Sequence, residues 1–574
     1  MRGRVDPVLA ALFAAVAAYY AATPGIFQGK ASGDGYFGFL YLPGIVFHHT
    51  LDLAATAPDD VSVFGRESTG RVANLVPIGS VAFWMPFYLV GLAAQRALGL
   101  PIGGQGRIDY WFAGLAGLGF GLAGAGLLFR LLRRRFGLGA ARFGTAAVVL
   151  ATPLAWYLVT QPLYQHPLAF FVVTLLIERW DALRDRAGLR EAAVLGAIGG
   201  AAMAVRLQQA PWVALVGVDL LLRARRRAGR VPTALAFAGG ALLAFAPQLL
   251  VWRWQFGSIH APQPPGHMRW ADPALVETLF STRAGLLPWS PILYLAIPGL
   301  LLAARYDRAL AAVAAAGFVL QALVNAAAWD YHASYTFGAR RFVDGAFAFG
   351  VGLAGVYAEA GRRRPRAAAI TLGLACAAAA ALNLALMEAV RTRRLWDSAA
   401  VAAPASEYVR HLGGPRWLAS ALDSVGWPFV QPAGWIWAAA HRARPSAFEG
   451  VVGNYLVERD HRLRDVLLHP ATAPLDAQSP YRVDDGPGDV RVLVPLRYAE
   501  PVRLSVVGSF AGADALRLTW NGKTIPVARS ETALVVAVTA DQVRTRARTN
   551  ELALEGLPAD ATLDRIEATV GPWR

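Results

Sequence analysis

Residues 76–98 read VPIGSVAFWMPFYLVGLAAQRAL, and whether this run crosses a membrane decides on which side most of the chain lies. The run is long and apolar enough to span, yet Pro77, Gly79 and Pro86 interrupt it. Beyond it, five arginine clusters sit between apolar stretches: Arg130/Arg133/Arg134/Arg135, Arg179/Arg184/Arg186, Arg223/Arg225/Arg226/Arg227, Arg305/Arg308 and Arg362/Arg363/Arg364/Arg366. Positive charge in short loops stays cytoplasmic. With the N-terminus inside and 76–98 not spanning, all five clusters fall inside; if the run spans, all five move outside together. We therefore expect 76–98 to be re-entrant or interfacial, a broken helix supported by protein instead of lipid.

Composition sets the frame for that choice. The chain has 574 residues, of which 55% are hydrophobic and 16% charged, with a mean hydropathy of +0.38. This is the signature of a polytopic membrane protein, not of a string of soluble domains. The net charge of +16 is placed in the inter-span clusters, which argues for membrane topology and against a nucleic-acid partner. Lysine occurs only at 30 and 523, and the single cysteine, Cys376, permits no intrachain disulfide. The N-terminal apolar run follows Arg2 and Arg4, as in a signal peptide, but no small-residue cleavage site follows it, so it is read as an uncleaved span.

Eleven spans are expected, at 7–26, 109–131, 143–160, 167–178, 190–206, 210–222, 233–253, 288–304, 309–327, 343–360 and 367–388. The outer loops are then 27–108, 161–166, 207–209, 254–287 and 328–342, and everything after 388 is also outside. The helical domain covers 1–388. A connecting region, 389–488, includes the aromatic stretch GWPFVQPAGWIWAAA (426–440), expected to form an interfacial helix. From 489 to 574, short period-2 runs with an Asn521-Gly522 hairpin signal predict a β-sandwich. The expected location is a bacterial inner membrane, with the N-terminus cytoplasmic and the C-terminal domain periplasmic.

The unusual residues lie in the outer loops. GKASGDGYFGFLYLPGIVFHH (29–49) carries one acid, Asp34, between Gly33 and Gly35. It reads either as a general base toward a hydroxyl or as a turn or cap for the aromatic helix that follows. Asp59-Asp60 is an alternative acid pair in the same loop. Arg71 and Asn74 precede the 76–98 run, and His166 sits at the mouth of the fourth span. Arg206, between two spans in MAVRLQQAPW, is too costly to face lipid and is expected to face a polar cavity. The loop AWDYHASYTFGARRF (328–342) holds Asp330, His332, Tyr335, Arg340 and Arg341. Its two arginines offer forked hydrogen bonds to a phosphate, the plain alternative being a lipid-headgroup anchor. Arg283 adds a further outer-edge guanidinium. The chain has no Walker A, HExxH or CxxC motif, which argues against an ATP-driven pump.

Four stretches taken in order carry a resemblance: GDGYFGFLYLPGIVFHHTLDL, TGRVANLVPIGSVAFWMPFYL, LFSTRAGLLPWSPILYLAIPGL and WDYHASYTFGARRFVDG. With the single span before the long first outer loop, they resemble the GT-C superfamily of integral-membrane glycosyltransferases, in a bacterial subfamily, over residues 5–390. The resemblance implies a polyprenyl-phosphate-linked sugar as donor, and a glycan, lipid or protein of the envelope as acceptor. It also implies transfer with inversion, Asp34 as the catalytic acid, and outer-loop arginines, best matched by Arg340 and Arg341, on the donor phosphate. Many relatives carry adjacent acids where this chain has Asp34 alone. Where metal-dependent relatives hold acids in the second outer loop, this chain has Gln161, Tyr164, Gln165 and His166, so no metal and no cofactor is expected. Two other readings stand beside it: a lipid-linked glycan ligase or polymerase using a diphosphate carrier, and a non-enzymatic flippase. The C-terminal sandwich is read either as a glycan-binding surface using an aromatic such as Trp520 or as a structural cap.

Overall fold

The computed structural model describes all residues except 1–5, 23–32, 59–65, 225–228, 262–266, 283, 332, 334–336, 392–409, 411–412, 426, 444, 446, 454–470, 476–478, 480, 497–500, 514, 545–548 and 571–574. The chain divides into two compact units. The first comprises 1–263, 290–325 and 335–387; the second comprises 264–289, 326–334 and 388–574. The second unit thus takes in two loop segments that lie before residue 388.

The first unit is helical. Among the described residues, five helices are long and apolar enough to cross a membrane: Ile78–Ala97, Arg107–Phe136, Arg230–Phe256, Arg308–Ala327 and Pro365–Arg391. Pro7–Ala22, Leu138–Leu150, Leu293–Ala303 and Phe347–Gly361 are shorter apolar helices. His166–Leu183, Leu189–Val205 and Ala210–Ala224 supply the other expected segments. Close approach replaces the hydrophobic effect as the means of joining helices in lipid. Gly196 and Gly200 show it: a Cβ on either would lie 2.0 and 2.1 Å from the Phe237 and Ala241 carbonyl oxygens, far inside van der Waals contact.

Three expectations need correction. Residues 78–97 are not a broken helix: a 3-10 turn, Ile78–Ser80, leads directly into the helix Val81–Ala97. Pro86 lies inside this helix and removes the bond to the Ala82 carbonyl, yet the helix runs on through it to Ala97. The expected span 143–160 is broken instead, into Leu138–Leu150 and Leu154–Val159 around Pro153. The Asn383 side-chain amide donates to the Leu150 and Thr152 carbonyls at 2.8 and 3.0 Å, satisfying the groups the break sets free. The expected span 288–304 is likewise interrupted between Leu286–Trp289 and Leu293–Ala303, next to Pro291.

All five arginine clusters gather at one end of this unit. Arg134 bridges Glu178 and Asp181 at 2.8 and 3.2 Å, and Arg135 reaches both Asp181 and Asp307. Arg184 also pairs with Asp307, Arg223 pairs with Asp185 and Asp219, and Arg305 and Arg362 share Glu359. The described members of the clusters therefore lie on a common side, which both alternatives for 76–98 require.

In the second unit, strands β1 (Ala471–Pro474), β2 (Arg482–Gly486), β3 (Asp489–Val494), β4 (Val502–Ser509), β5 (Arg517–Trp520), β6 (Lys523–Thr524), β7 (Val527–Arg529), β8 (Ala533–Val538), β9 (Asn550–Glu555) and β10 (Thr562–Val570) form two five-stranded sheets. Their orders are β1-β10-β4-β8-β7 and β2-β3-β9-β5-β6, with every pairing antiparallel. The sheets begin at 471, upstream of the expected 489. Alternate residues such as Val492, Leu504, Val506, Val536, Leu552 and Ile566 fill the space between them. The Asn521-Gly522 turn has positive φ at both positions, 51° and 80°, as a tight hairpin requires. Trp520 is not an exposed aromatic: it is 3% exposed and its Nε1 donates to the Gln542 carbonyl. The helix Ala433–His441 exposes Trp435 and Ile436, while Trp437 packs against Val430, Phe448 and Val452.

Candidate active site

Asp34 lies in the first turn of the helix Gly33–Val46, where the helix dipole favours a carboxylate. The helix is buried along most of its length, with Phe39 against Tyr88 and Tyr110. Its start is pressed onto Tyr164. Gly33 has φ of +56°, and a Cβ there would stand 2.9 Å from the Tyr164 hydroxyl; one at Gly35 would stand 2.9 Å from the Tyr164 ring. Only glycine at both flanks allows the acid to come this close to the second outer loop.

Arg340 meets it there. Its Nη2 lies 3.1 Å from Asp34 Oδ2, and its guanidinium stands over the Tyr164 ring, 5.4 Å from the centroid. The Asp34 side chain is 42% exposed and that of Arg340 10%, so the acid faces an opening that the guanidinium backs. Burial is the largest influence on the Asp34 carboxyl and pushes it up. The charges of Arg340, then Arg206, His166 and Arg341, outweigh it and hold the group below its ordinary value. Asp34 is therefore a carboxylate in a cationic surround.

The turn that carries Arg340 is held from two sides. Trp156 stacks on Phe337 with centroids 4.9 Å apart, and the Tyr157 hydroxyl donates to the Phe337 carbonyl. From the helix Arg308–Ala327, Gln321 donates to the Arg341 carbonyl at 2.6 Å. The break at Pro153 thus has a purpose: it sets Leu154–Val159 across the face where this turn rests.

A second acid, Asp344, is fully buried beside this group. Its Oδ1 lies 2.6 Å from His166 Nδ1, and its Oδ2 lies 2.9 Å from Arg206 Nε and 2.6 Å from Gln209 Nε2. A carboxylate only accepts, so the hydrogen sits on His166 Nδ1. The other ring nitrogen, Nε2, is buried and has no hydrogen-bond partner among the described residues. Arg206 sits just past the end of the helix Leu189–Val205, in extended conformation, which turns it inward from the helix axis.

Of the residues singled out in the sequence, Asp34, His166, Arg206, Arg340 and Arg341 converge here. Asp344 was missed, although RRFVDG places it within a few residues of an arginine that was noticed; Gln209 stands beside Arg206 in RLQQ. Arg71 and Asn74, expected to bind substrate, are instead engaged by backbone. Arg71 stacks on Trp254 and donates to its carbonyl, and Asn74 donates to the Phe37 carbonyl at 2.7 Å, bracing the Asp34 helix. Asp330 belongs to the second unit. Asp59, Asp60, Arg283, His332 and Tyr335 lie outside the described residues. Among the described residues, no group of three or more His, Cys, Asp or Glu could hold a metal ion.

No protein-family model and no curated protein matches the chain. The solved structures similar to it include the following. ArnT from Cupriavidus metallidurans in the apo state is 20% identical, over 75% of this chain and 71% of that one, with a TM-score of 0.41. The same protein bound to undecaprenyl phosphate is 16% identical, over 93% and 99%, at 0.42. The arabinosyltransferase EmbB from Mycobacterium smegmatis is 14% identical, over 99% of this chain and 64% of that one, at 0.34.

Proposed function

We propose that this chain transfers a sugar from a polyprenyl-phosphate-linked donor to a hydroxyl of an envelope glycan, lipid or protein, at the outer face of a bacterial inner membrane. The observation that carries the reading is the Asp34–Arg340 pair: one open carboxylate and one sunken guanidinium, in a cluster with more arginines than acids. Such a cluster suits an anionic donor and a neutral, nucleophilic acceptor. Glycosyl transfer of the GT-C type is also what the sequence resemblance implies.

In the proposed reaction the donor phosphate takes Arg340, with Arg341 and Arg206 adding positive potential. The acceptor hydroxyl attacks the anomeric carbon from the face opposite the phosphate. Its oxygen forms the new C–O bond while the bond to the phosphate oxygen breaks and that oxygen keeps the electron pair. The hydroxyl proton passes to Asp34. A carboxyl held below its ordinary value takes a proton late, once the hydroxyl oxygen has begun to bond to carbon and has become acidic. Phosphate leaves readily, so positioning and charge stabilisation supply most of the rate.

The test is transfer from a labelled polyprenyl-phosphate sugar by the purified chain in lipid nanodiscs. Asp34→Asn is expected to abolish transfer while leaving the donor bound. Full activity in that variant would remove Asp34 from the reaction.

A further inference from the structure

We infer that Asp344 is a positioning residue for this transfer: it engages Arg206 and His166, leaving Arg340 as the one guanidinium paired with Asp34 and the Asp34 carboxylate open to an acceptor. The inference rests on the transfer reading above. It arises from a charge problem in the cluster. Arg206 is a buried guanidinium, its side chain only 8% exposed, and a buried charge needs a paired partner. Its potential reaches two carboxylates, Asp344 and Asp34. Asp344 forms an ion pair with it at 2.9 Å, with no hydrogen bond from Arg206 Nε, and also meets Gln209 on the same oxygen and His166 on the other. Among the described residues, Asp34 has a single ionic partner, Arg340.

Removing the Asp344 charge leaves Asp34, among the described residues, as the carboxylate on which the Arg206 charge still acts. The freed guanidinium then turns to Asp34, which would be clamped from two sides, lose its open face and bind a proton less readily. His166 would lose its orientation at the same time, since Nδ1 is the nitrogen that Asp344 fixes. Asp344 touches neither reacting atom in this scheme. Its effect passes through Arg206, and this distinguishes it from a merely structural acid.

The experiment compares the wild type, Asp344→Asn, Arg206→Gln and the double variant in nanodiscs, each checked for folding by thermal unfolding. Asp344→Asn is expected to lower kcat by about 100-fold with the KM for acceptor little changed, the size seen when one charge-stabilising contact is lost. The double variant is expected to be no slower than the slower single variant, because without Arg206 nothing collapses onto Asp34. Losses in kcat that simply multiply, or wild-type kcat in folded Asp344→Asn, would overturn the inference while leaving the transfer reading intact. If Asp344→Asn does not fold, His166→Asn and Gln209→Met remove one contact each and should lower kcat by about tenfold. Unchanged kcat in both also overturns it. Absence of transfer by the wild type under all donor conditions would overturn both readings, and would be distinguished in that way.

Discussion

The helix His166–Leu183 carries an ion cluster at each end, and the two are built differently. At its C-terminal end, Glu178 and Asp181 are fully buried, while four of the arginines that pair with them, Arg130, Arg134, Arg135 and Arg179, are 30–52% exposed, and a fifth, Arg184, is sunk at 6%. At its N-terminal end the arrangement is reversed. Arg206, Arg340 and His166 are sunk, and one acid, Asp34, is open. In the first cluster every acid has two or more arginine partners, so it ties the helices Arg107–Phe136 and His166–Leu183 to the turn at Asp307 and leaves nothing over for a ligand. In the second, the cations are fixed and one carboxylate is only singly held. Saturated pairing marks a structural fastening; an exposed group against a prepaid cationic wall marks a site.

That contrast breaks most visibly at its two acids. Asp34→Asn should reduce transfer by about 100- to 10,000-fold, the range for losing a general base, with unfolding temperature close to wild type. Asp181→Asn should do the opposite. Its arginines keep Glu178 and Asp307, so the loss is that of the charged hydrogen bonds to Asp181 and should lower stability by about 1.5–3 kcal/mol, with kcat of the folded protein unchanged. Denaturant titration in detergent beside single-turnover kinetics checks both. If Asp181→Asn loses activity without losing stability, the two clusters are not different in kind.

Arg340→Gln sharpens the site side of the comparison. It should raise the KM for donor by about 10- to 100-fold, the equivalent of one charged hydrogen bond. It also changes the pH profile. The Asp34 carboxyl is held below its ordinary value, so its ionised form, and the stability its pairing adds, is complete above the ordinary carboxylate range. Both are lost only as pH falls through the depressed native value. Wild-type transfer should therefore show no acid-side decline from this group at neutral or mildly acidic pH. Without the strongest attracting charge, the decline should move to higher pH. At the fastening end, Arg134→Ala should have the smallest effect, within about 1 kcal/mol of stability, because its guanidinium is 40% exposed and Arg130 and Arg179 also hold Glu178.

Much of the fold was legible because apolar length and strand alternation are local signals. The arginine clusters were legible as topology but not as pairings: the acids in ERWDALRDR and ARYDRA lie inside the basic stretches and were passed over. Asp34, Arg206 and Arg340 stood out as charges in apolar or glycine-rich company. Asp344 did not, because its partners come from residues 166, 206 and 209 and only folding brings them together. The run 76–98 misled for a related reason. Pro86 looks disruptive in a list of residues, but the helix Val81–Ala97 continues through it at the loss of one backbone bond. The interruption at Pro153 was overlooked, since the residue that repairs it, Asn383, lies 231 positions from Thr152.

That repair has a consequence for how the protein is made. The segment Leu154–Val159 supports the turn bearing Arg340, yet two carbonyls at its entrance, on Leu150 and Thr152, receive the Asn383 amide from the last helix of the first unit. During synthesis these carbonyls emerge long before residue 383 does. The early helices can insert and pair, but the wall behind the reactive carboxylate reaches its final shape only when Pro365–Arg391 has joined the bundle. A chain truncated before that helix is left with a site whose parts are all present and not yet assembled.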